Sequence, residues 1–171
     1  MTSSNNALGE HLLCTHCDEP VAVPLYTPED REKTHAFCCD GCLTVYNIIH
    51  AKGLNEYYSI KENSKIFKRR SPVEFKNEKF TYIDKDNFLK EYSITLESGN
   101  RVMDFYLEGI HCVACLWLIE KMPEFVPGVI HSRLNMSKSL VTITIKRDFS
   151  FAEVARELNN LGYRPHPLKI G

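Results

Sequence analysis

Two cysteines late in the chain, Cys112 and Cys115, have the spacing of a soft-metal clamp. Two intervening residues let both sulfurs reach one ion, and thiolates select Cu(I) over harder cations. A strand-like run precedes the pair and a helix-like run follows it. We therefore expect both cysteines near a helix N-terminus, where partial positive charge favours thiolate over thiol. The pair predicts a Cu(I) site that is open to exchange with an incoming thiolate.

Other chemistries stay open for the same pair. A Cys-x2-Cys motif between a strand and a helix is also typical of thioredoxin-like redox sites, although the elements that follow it here do not suit that fold. Zinc would need two further ligands, and His111 is the candidate beside the pair. Two ordinary core cysteines are the remaining interpretation.

An earlier group of five cysteines predicts a second metal site. It comprises a Cys-x2-Cys pair and, twenty residues further on, a Cys-Cys-Asp-Gly-Cys run: Cys14, Cys17, Cys38, Cys39 and Cys42. Paired cysteines at this distance favour a tetrahedral zinc site, with Cu(I) as the alternative and a disulfide framework less suited to a reducing compartment. Five thiols compete for four positions, and the spacing does not choose between Cys38 and Cys39. Three histidines are reserve ligands: His16, His35 and His50.

The composition of the 171-residue chain limits the other function classes. Its 21 Lys and Arg residues are balanced by 22 Asp and Glu residues. This balance argues against nucleic acid as a partner, because phosphate binding normally needs a basic surplus. No apolar run approaches the roughly 18–20 residues that span a bilayer, and residues 1–13 lack the pattern of a signal peptide. We therefore expect a soluble segment that stays in the cytoplasm.

The order of elements predicts two metal-binding units. Residues 1–10 are expected to form a disordered tail. Residues 11–60 are expected to form a small metal-stabilised domain of treble-clef or zinc-ribbon type, because little in this segment forms a core without an ion. Its helix is expected to start near Leu43 and to stop at Gly53. Residues 61–99 are polar and charged, and they predict a linker with a short helix.

Residues 100–171 have the pattern of a ferredoxin-like βαββαβ domain. Strand-like and helix-like segments follow in this order: strand Arg101–Leu107, helix to about Lys121, strands Val129–Met136 and Leu140–Lys146, helix from Ser150 to Gly162, and strand Tyr163–Leu168. Ser150 and Glu153 fit a capping box, and two prolines place the last strand at an edge. The whole chain is therefore predicted to have an α+β fold.

The helix after the late cysteine pair predicts one buried and one exposed face. Leu116, Ile119 and Met122 would face the core. Trp117 and Leu118 fall outside this stripe, and exposed apolar side chains beside a site often mark an interface. We therefore expect these two residues to form a docking surface for another domain, and their partial burial under the linker is the alternative.

The motif GIHCVACLWLIE, residues 109–120, resembles the metal-binding loop of the heavy-metal-associated domain of copper-transporting P-type ATPases and copper chaperones. The resemblance implies that Cys112 and Cys115 are the Cu(I) ligands. It also implies that Ile110 lies beneath the loop, and that the loop at residues 162–163 packs near the metal.

Two features make the resemblance more specific. His111 stands where threonine is usual, and with the run CLWLIE it is similar to the branch of these ATPases that supports cytochrome oxidase assembly. His111 is then an additional candidate ligand. The segment from Cys14 to the FCCDGC run resembles the cysteine-rich domain that precedes the copper domain in that branch, which binds metal.

The resemblance implies that the chain is a cytosolic region of a copper-exporting P-type ATPase that accepts Cu(I) and passes it on by thiolate exchange. The donor would be a copper chaperone or glutathione-bound copper. The partners would be the membrane and ATP-binding parts of the same transporter, at the cytoplasmic side of the inner membrane. The sequence has no DKTGT phosphorylation loop, so the region is expected to be non-catalytic. A free copper chaperone or metal-responsive regulator, and a thiol-disulfide oxidoreductase, are the alternatives.

Overall fold

The computed structural model of the chain describes residues 12–63, 80–110 and 113–170. The expected N-terminal tail and the candidate ligands His111 and Cys112 lie outside this part.

The described part mixes helices with an antiparallel sheet, which confirms the α+β fold. The helices are α1 (Asp40–Ala51), α2 (Glu56–Asn63), α3 (Asp86–Tyr92), α4 (Val113–Glu120), α5 (Met122–Phe125) and α6 (Phe151–Asn160). The strands are β1 (Ser93–Thr95), β2 (Arg101–Glu108), β3 (Val129–Asn135), β4 (Leu140–Ile145) and β5 (Arg164–Pro167). Two short 3₁₀ helices span Phe80–Asp84 and Met136–Lys138.

The strands form one antiparallel sheet in which β2 pairs with three neighbours. β4 lies along one side of β2, and β3 extends the sheet beyond β4. β5 and β1 share the other side of β2, where β5 pairs with residues 105–108 and β1 with residues 101–103. The order β5-β2-β4-β3, with α4 and α6 as the connecting helices, is the ferredoxin-like arrangement. The prolines of β5 lie in an edge strand, as predicted.

Alternating burial along the central strands builds the core. The core-facing residues of β2 and β4 are almost fully buried: Met103, Phe105, Leu107, Val141, Ile143 and Ile145. Successive side chains of a strand point to opposite faces, so this alternation gives the sheet one apolar face. Buried residues of α4 and α6 belong to the same hydrophobic cluster, so these two helices cover that face.

α4 buries a different stripe from the one that the sequence predicts. Its buried residues are Ala114, Cys115, Leu118 and Ile119. Ile119 faces the core as predicted, but the prediction that Leu118 is exposed was wrong, since its exposed fraction is 0%. Leu116 and Trp117 are half-buried against the edge of the cluster. The reason is that α4 is apolar almost all round, so its pattern does not single out the buried face, on which Cys115, Leu118 and Ile119 recur at helical spacing.

The helices of the cysteine-rich segment share their core with the ferredoxin-like domain. The apolar residues of α1, α2 and the loop between them that join the common cluster are Val45, Ile49, Leu54 and Tyr57. At the end of α1, the Lys52 ammonium lies 3.1 Å from the Glu157 carboxylate of α6. The cysteine-rich segment is thus packed against the helices that cover the sheet.

Residues 80–95, which the sequence places in a linker, also pack on the ferredoxin-like domain. Phe80 and Ile83 are buried in the common cluster. The short helix expected in this range is α3, and β1 extends the edge of the sheet beside β5.

Asp84 caps α6 from a distant part of the chain. Its Oδ1 accepts hydrogen bonds from the first two amides of α6 at 3.0 and 3.3 Å, and the Ser150 hydroxyl donates to its Oδ2. Ser150 Oγ accepts from the Glu153 amide at 3.2 Å, which confirms Ser150 as the N-cap. The Glu153 carboxylate accepts a hydrogen bond from Arg156.

Asp84→Ala is expected to lower the free energy of unfolding by about 1–2 kcal/mol, because two amides at the start of α6 lose their acceptor. Urea unfolding followed by circular dichroism measures this loss. Glu97→Ala removes a carboxylate from the exposed turn before β2 and is the control, with an expected change below about 0.5 kcal/mol. A loss for Asp84→Ala no larger than the control's would show that residues 80–95 do not hold α6.

Candidate metal centre

Four cysteine sulfurs converge at one point of the described structure. The sulfurs of Cys14, Cys17, Cys38 and Cys42 all lie within 4.8 Å of one another. Two of the separations are 3.5 Å, from Cys17 to Cys38, and 3.6 Å, from Cys38 to Cys42. A zinc ion with Zn–S bonds of about 2.3 Å sets its tetrahedral ligands roughly 3.8 Å apart. The donor set and its spacing therefore fit a tetrathiolate zinc site.

A tight turn presents the first two cysteines. The Asp18 amide donates to the Cys14 carbonyl at 2.9 Å, which closes the turn around the two residues between Cys14 and Cys17. Asp18 has φ of 60°, in the left-handed region that Asp and Asn tolerate better than most side chains. A bridge between Leu13 and Pro20 joins the ends of the turn. The two sulfurs are therefore placed by local backbone structure.

A bridge and a helix start present the other two cysteines. Leu25 pairs with Phe37, and Phe37 is fully buried among the cysteines, so Cys38 follows an anchored residue. Cys42 lies in the first turn of α1. Cys39 is the N-cap of α1, and its sulfur accepts from the Cys42 amide at 3.5 Å.

The structure thus gathers Cys38 rather than Cys39 with the other three cysteines. The sequence did contain a signal for this choice. An acidic residue is favoured in the first turn of a helix, so Asp40 at the first position would make Cys39 the N-cap.

Hydrogen bonds between the thiols give them unequal acidities. The pKa of Cys14 lies far below its usual range because the Cys17 and Cys42 thiols donate to its sulfur, with further bonds from the amides of Cys17 and Cys38. The pKa of Cys42 is raised because its thiol proton is held by Cys14. A metal ion would displace the remaining protons, so metal affinity falls as the pH falls.

The three reserve histidines have partners outside the sulfur cluster. His16 is buried, and its Nδ1 lies 3.1 Å from the Tyr58 hydroxyl. His35 contacts Thr34, and His50 packs its ring 4.1 Å from that of Tyr46. Among the described residues, the group of possible ligands that the structure brings together contains cysteines alone.

At the late cysteine pair, the structure describes Cys115 and the residues up to Ile110. Cys115 is the third residue of α4 and its exposed fraction is 1%. Gly109, after β2, has φ of 97°, and a methyl group added there would lie 3.5 Å from the Gly162 carbonyl and the Tyr163 ring. The loop at residues 162–163 therefore adjoins the turn that leads into the Cys-x2-Cys motif, and Ile110 packs against the core.

A cluster of four cysteine sulfurs in a small loop-and-helix unit, packed on a ferredoxin-like domain, defines a cysteine-rich metal-binding protein. The family model described as "Putative metal-binding domain of cation transport ATPase" matches residues 13–96. Residues 13–96 therefore resemble the metal-binding region of a cation transport ATPase.

One solved structure, described as "Crosstalk between Cu(I) and Zn(II) homeostasis", is similar at 22% identity. The similarity covers 39% of this chain and 97% of that chain, with a TM-score of 0.37. No curated protein matches the chain. Within the described residues, every helix is too short or too polar to cross a membrane.

Proposed function

We propose that the chain is a cytosolic Cu(I)-binding region of a copper-transporting P-type ATPase, in which Cys112 and Cys115 accept Cu(I) and pass it on. The observation that carries the proposal is the place of Cys115 in the first turn of α4, just after the first strand of a ferredoxin-like βαββαβ unit. The family model that matches residues 13–96 supports the assignment to a transporter. The sulfur pair supports the preference for a soft monovalent ion.

The environment of Cys115 suits a thiolate ligand. The first amides of a helix have no intrahelical acceptor, and together with the helix dipole they favour negative charge at this end. Transfer then proceeds by exchange of ligands. A donor thiolate bonds to Cu(I) as a bond from copper to its previous sulfur breaks, so copper keeps its sulfur ligands and no electron moves.

We assign the four-cysteine cluster to a structural zinc ion, with Cu(I) as the alternative occupant. Its support is the fit between the sulfur separations and a tetrahedral tetrathiolate site. The local apolar cluster around the sulfurs has few members beyond Phe37 and the cysteines themselves. An ion would supply the stability that this segment lacks.

The proposed partners follow from the transfer chemistry. A copper chaperone or glutathione-bound copper would deliver the ion as a thiolate complex, and the membrane and ATP-binding parts of the same transporter would receive it. We accordingly propose that the region lies at the cytoplasmic side of the inner membrane.

Cu(I) titration against a chromogenic chelator, under anaerobic reducing conditions, tests the proposal. Replacing both Cys112 and Cys115 with serine is expected to weaken the tightest Cu(I) binding by more than about 100-fold, because both sulfur ligands are removed. Cys39→Ser is the matched control, since it removes a cysteine that lies outside both sites, and should bind Cu(I) like the wild type. Equal Cu(I) affinity in the double variant and the wild type would overturn the proposal.

A further inference from the structure

Lys61, near the end of α2, directs a buried ammonium group at the loop between the first two cluster cysteines. Its side chain is 8% exposed. Its Nζ donates to the carbonyls of the two residues that separate these cysteines, to His16 at 2.9 Å and to Thr15. It also lies 2.9 Å from a carboxylate oxygen of Asp18, just after the loop. Three contacts from one buried cation hold this turn in its observed conformation.

One peptide group connects Lys61 to a cluster sulfur. The carbonyl of His16 accepts from the Lys61 ammonium, and the N–H of the same peptide group, which belongs to Cys17, donates to the sulfur of Cys14. A trans peptide directs these two groups in opposite directions. Hydrogen bonds in such a chain polarise one another, so the charge of Lys61 strengthens the bond that the Cys14 sulfur receives.

The negative charge of the zinc-bound cluster gives the Lys61 ammonium a role. A zinc ion with four thiolates carries a net charge of −2 by valence, and a buried anion is costly without compensating charge or hydrogen bonds. Lys61 supplies a cation that is itself shielded from water. Asp18 offsets part of this charge, but its side chain is 50% exposed, so solvent weakens that pairing.

The other end of this connection is the ferredoxin-like domain. Lys61 belongs to α2, and α2 packs on α4, the helix that carries Cys115. Tyr57, one turn before Lys61, is buried in the common hydrophobic cluster. The same short helix therefore contacts the four-cysteine loop on one side and the helix of the late cysteine pair on the other.

We propose that Lys61 is a positioning residue of the four-cysteine centre: it fixes the loop between the first two ligands, offsets the negative charge of the loaded cluster, and so couples metal binding to the packing of α2 on α4. The inference rests on the proposed function only in that the cluster binds a metal.

Lys61→Met, which keeps the apolar stem and removes the charge, is expected to weaken zinc binding by about 10–100-fold. Lys61→Arg should restore most of the affinity. Lys52→Met is the matched control, because it removes a lysine that pairs with Glu157 between α1 and α6, and it should bind zinc like the wild type. Competition with a chromogenic chelator measures the zinc affinity of the wild type and of the three variants. The absorption spectrum of bound Co(II) should remain that of a tetrathiolate site in Lys61→Met, because the ligands are unchanged.

Hydrogen exchange of the α2 amides tests the coupling. Zinc should slow this exchange in the wild type about fivefold or more beyond its effect in Lys61→Met. Two affinity results would overturn the inference alone: equal zinc affinity in wild type and Lys61→Met, or a loss of affinity in Lys52→Met as large as in Lys61→Met. Equal slowing of α2 exchange by zinc in wild type and Lys61→Met would overturn it too. A wild-type chain that binds neither zinc nor Co(II) would overturn the proposed zinc centre as well.

Discussion

Cys38→Ser is expected to weaken zinc binding at the four-cysteine centre by about 10²–10³-fold, whereas Cys39→Ser should leave the affinity unchanged. Structural zinc sites contribute roughly 10–16 kcal/mol, so one ligand of four accounts for a few kcal/mol. The Cys38 sulfur lies 3.5 and 3.6 Å from two other cluster sulfurs. The Cys39 sulfur instead caps α1, and serine is a preferred N-cap residue.

Chelator competition and metal analysis of the purified proteins measure this difference. The two variants are well matched, because they exchange neighbouring cysteines for the same residue. If Cys39→Ser lost as much affinity as Cys38→Ser, the N-cap would also be a ligand, and the proposed ligand set would be wrong.

The structural damage from a lost ion is expected to be local. Phe37 and the buried cysteines form a small cluster of their own, so the loops around them depend on the metal. Val45 and Ile49 of α1 belong instead to the large cluster shared with the ferredoxin-like domain. Chelation should therefore disorder the loops before α1 while most of the helical signal in circular dichroism remains. Complete unfolding on chelation would show that the common core does not keep the helices folded without the metal.

The sequence predicted the ferredoxin-like domain well because its signals are local. Alternation along β4 comes from consecutive residues and places Val141 and Ile143 on one face. Ser150 caps the helix that starts at the next residue. Such patterns depend on short stretches of chain, so they predict the element correctly whichever segments pack against it.

The features that the sequence did not predict depend on contacts between distant segments. Asp84 caps a helix 67 residues further on, and Lys61 bonds to the carbonyl of a residue 45 positions before it. No spacing rule encodes such pairs. The error at Leu118 has a local cause instead, because α4 is apolar almost all round and its pattern does not single out the face that is buried.

Leu118→Ala is therefore expected to lower the free energy of unfolding by about 3 kcal/mol, within the 2–5 kcal/mol range of large-to-small changes in a core. Leu118 is fully buried in the common hydrophobic cluster, so its removal leaves a cavity that its neighbours fill only in part. Val113→Ala shortens an exposed side chain of the same helix, 47% accessible, and should cost less than about 0.5 kcal/mol. Urea unfolding of the zinc-saturated proteins compares the two.

The size of the Leu118 effect separates two arrangements of α4. If Leu118 lay on a docking surface, as its place in the sequence suggests, alanine there would cost no more than at Val113. A loss several times larger means that the common hydrophobic cluster encloses this side of α4. Because Cys115 lies three residues before Leu118 on this helix, the same enclosure then fixes the sulfur that we assign to Cu(I), and a looser α4 in Leu118→Ala should also weaken Cu(I) binding in the chelator titration.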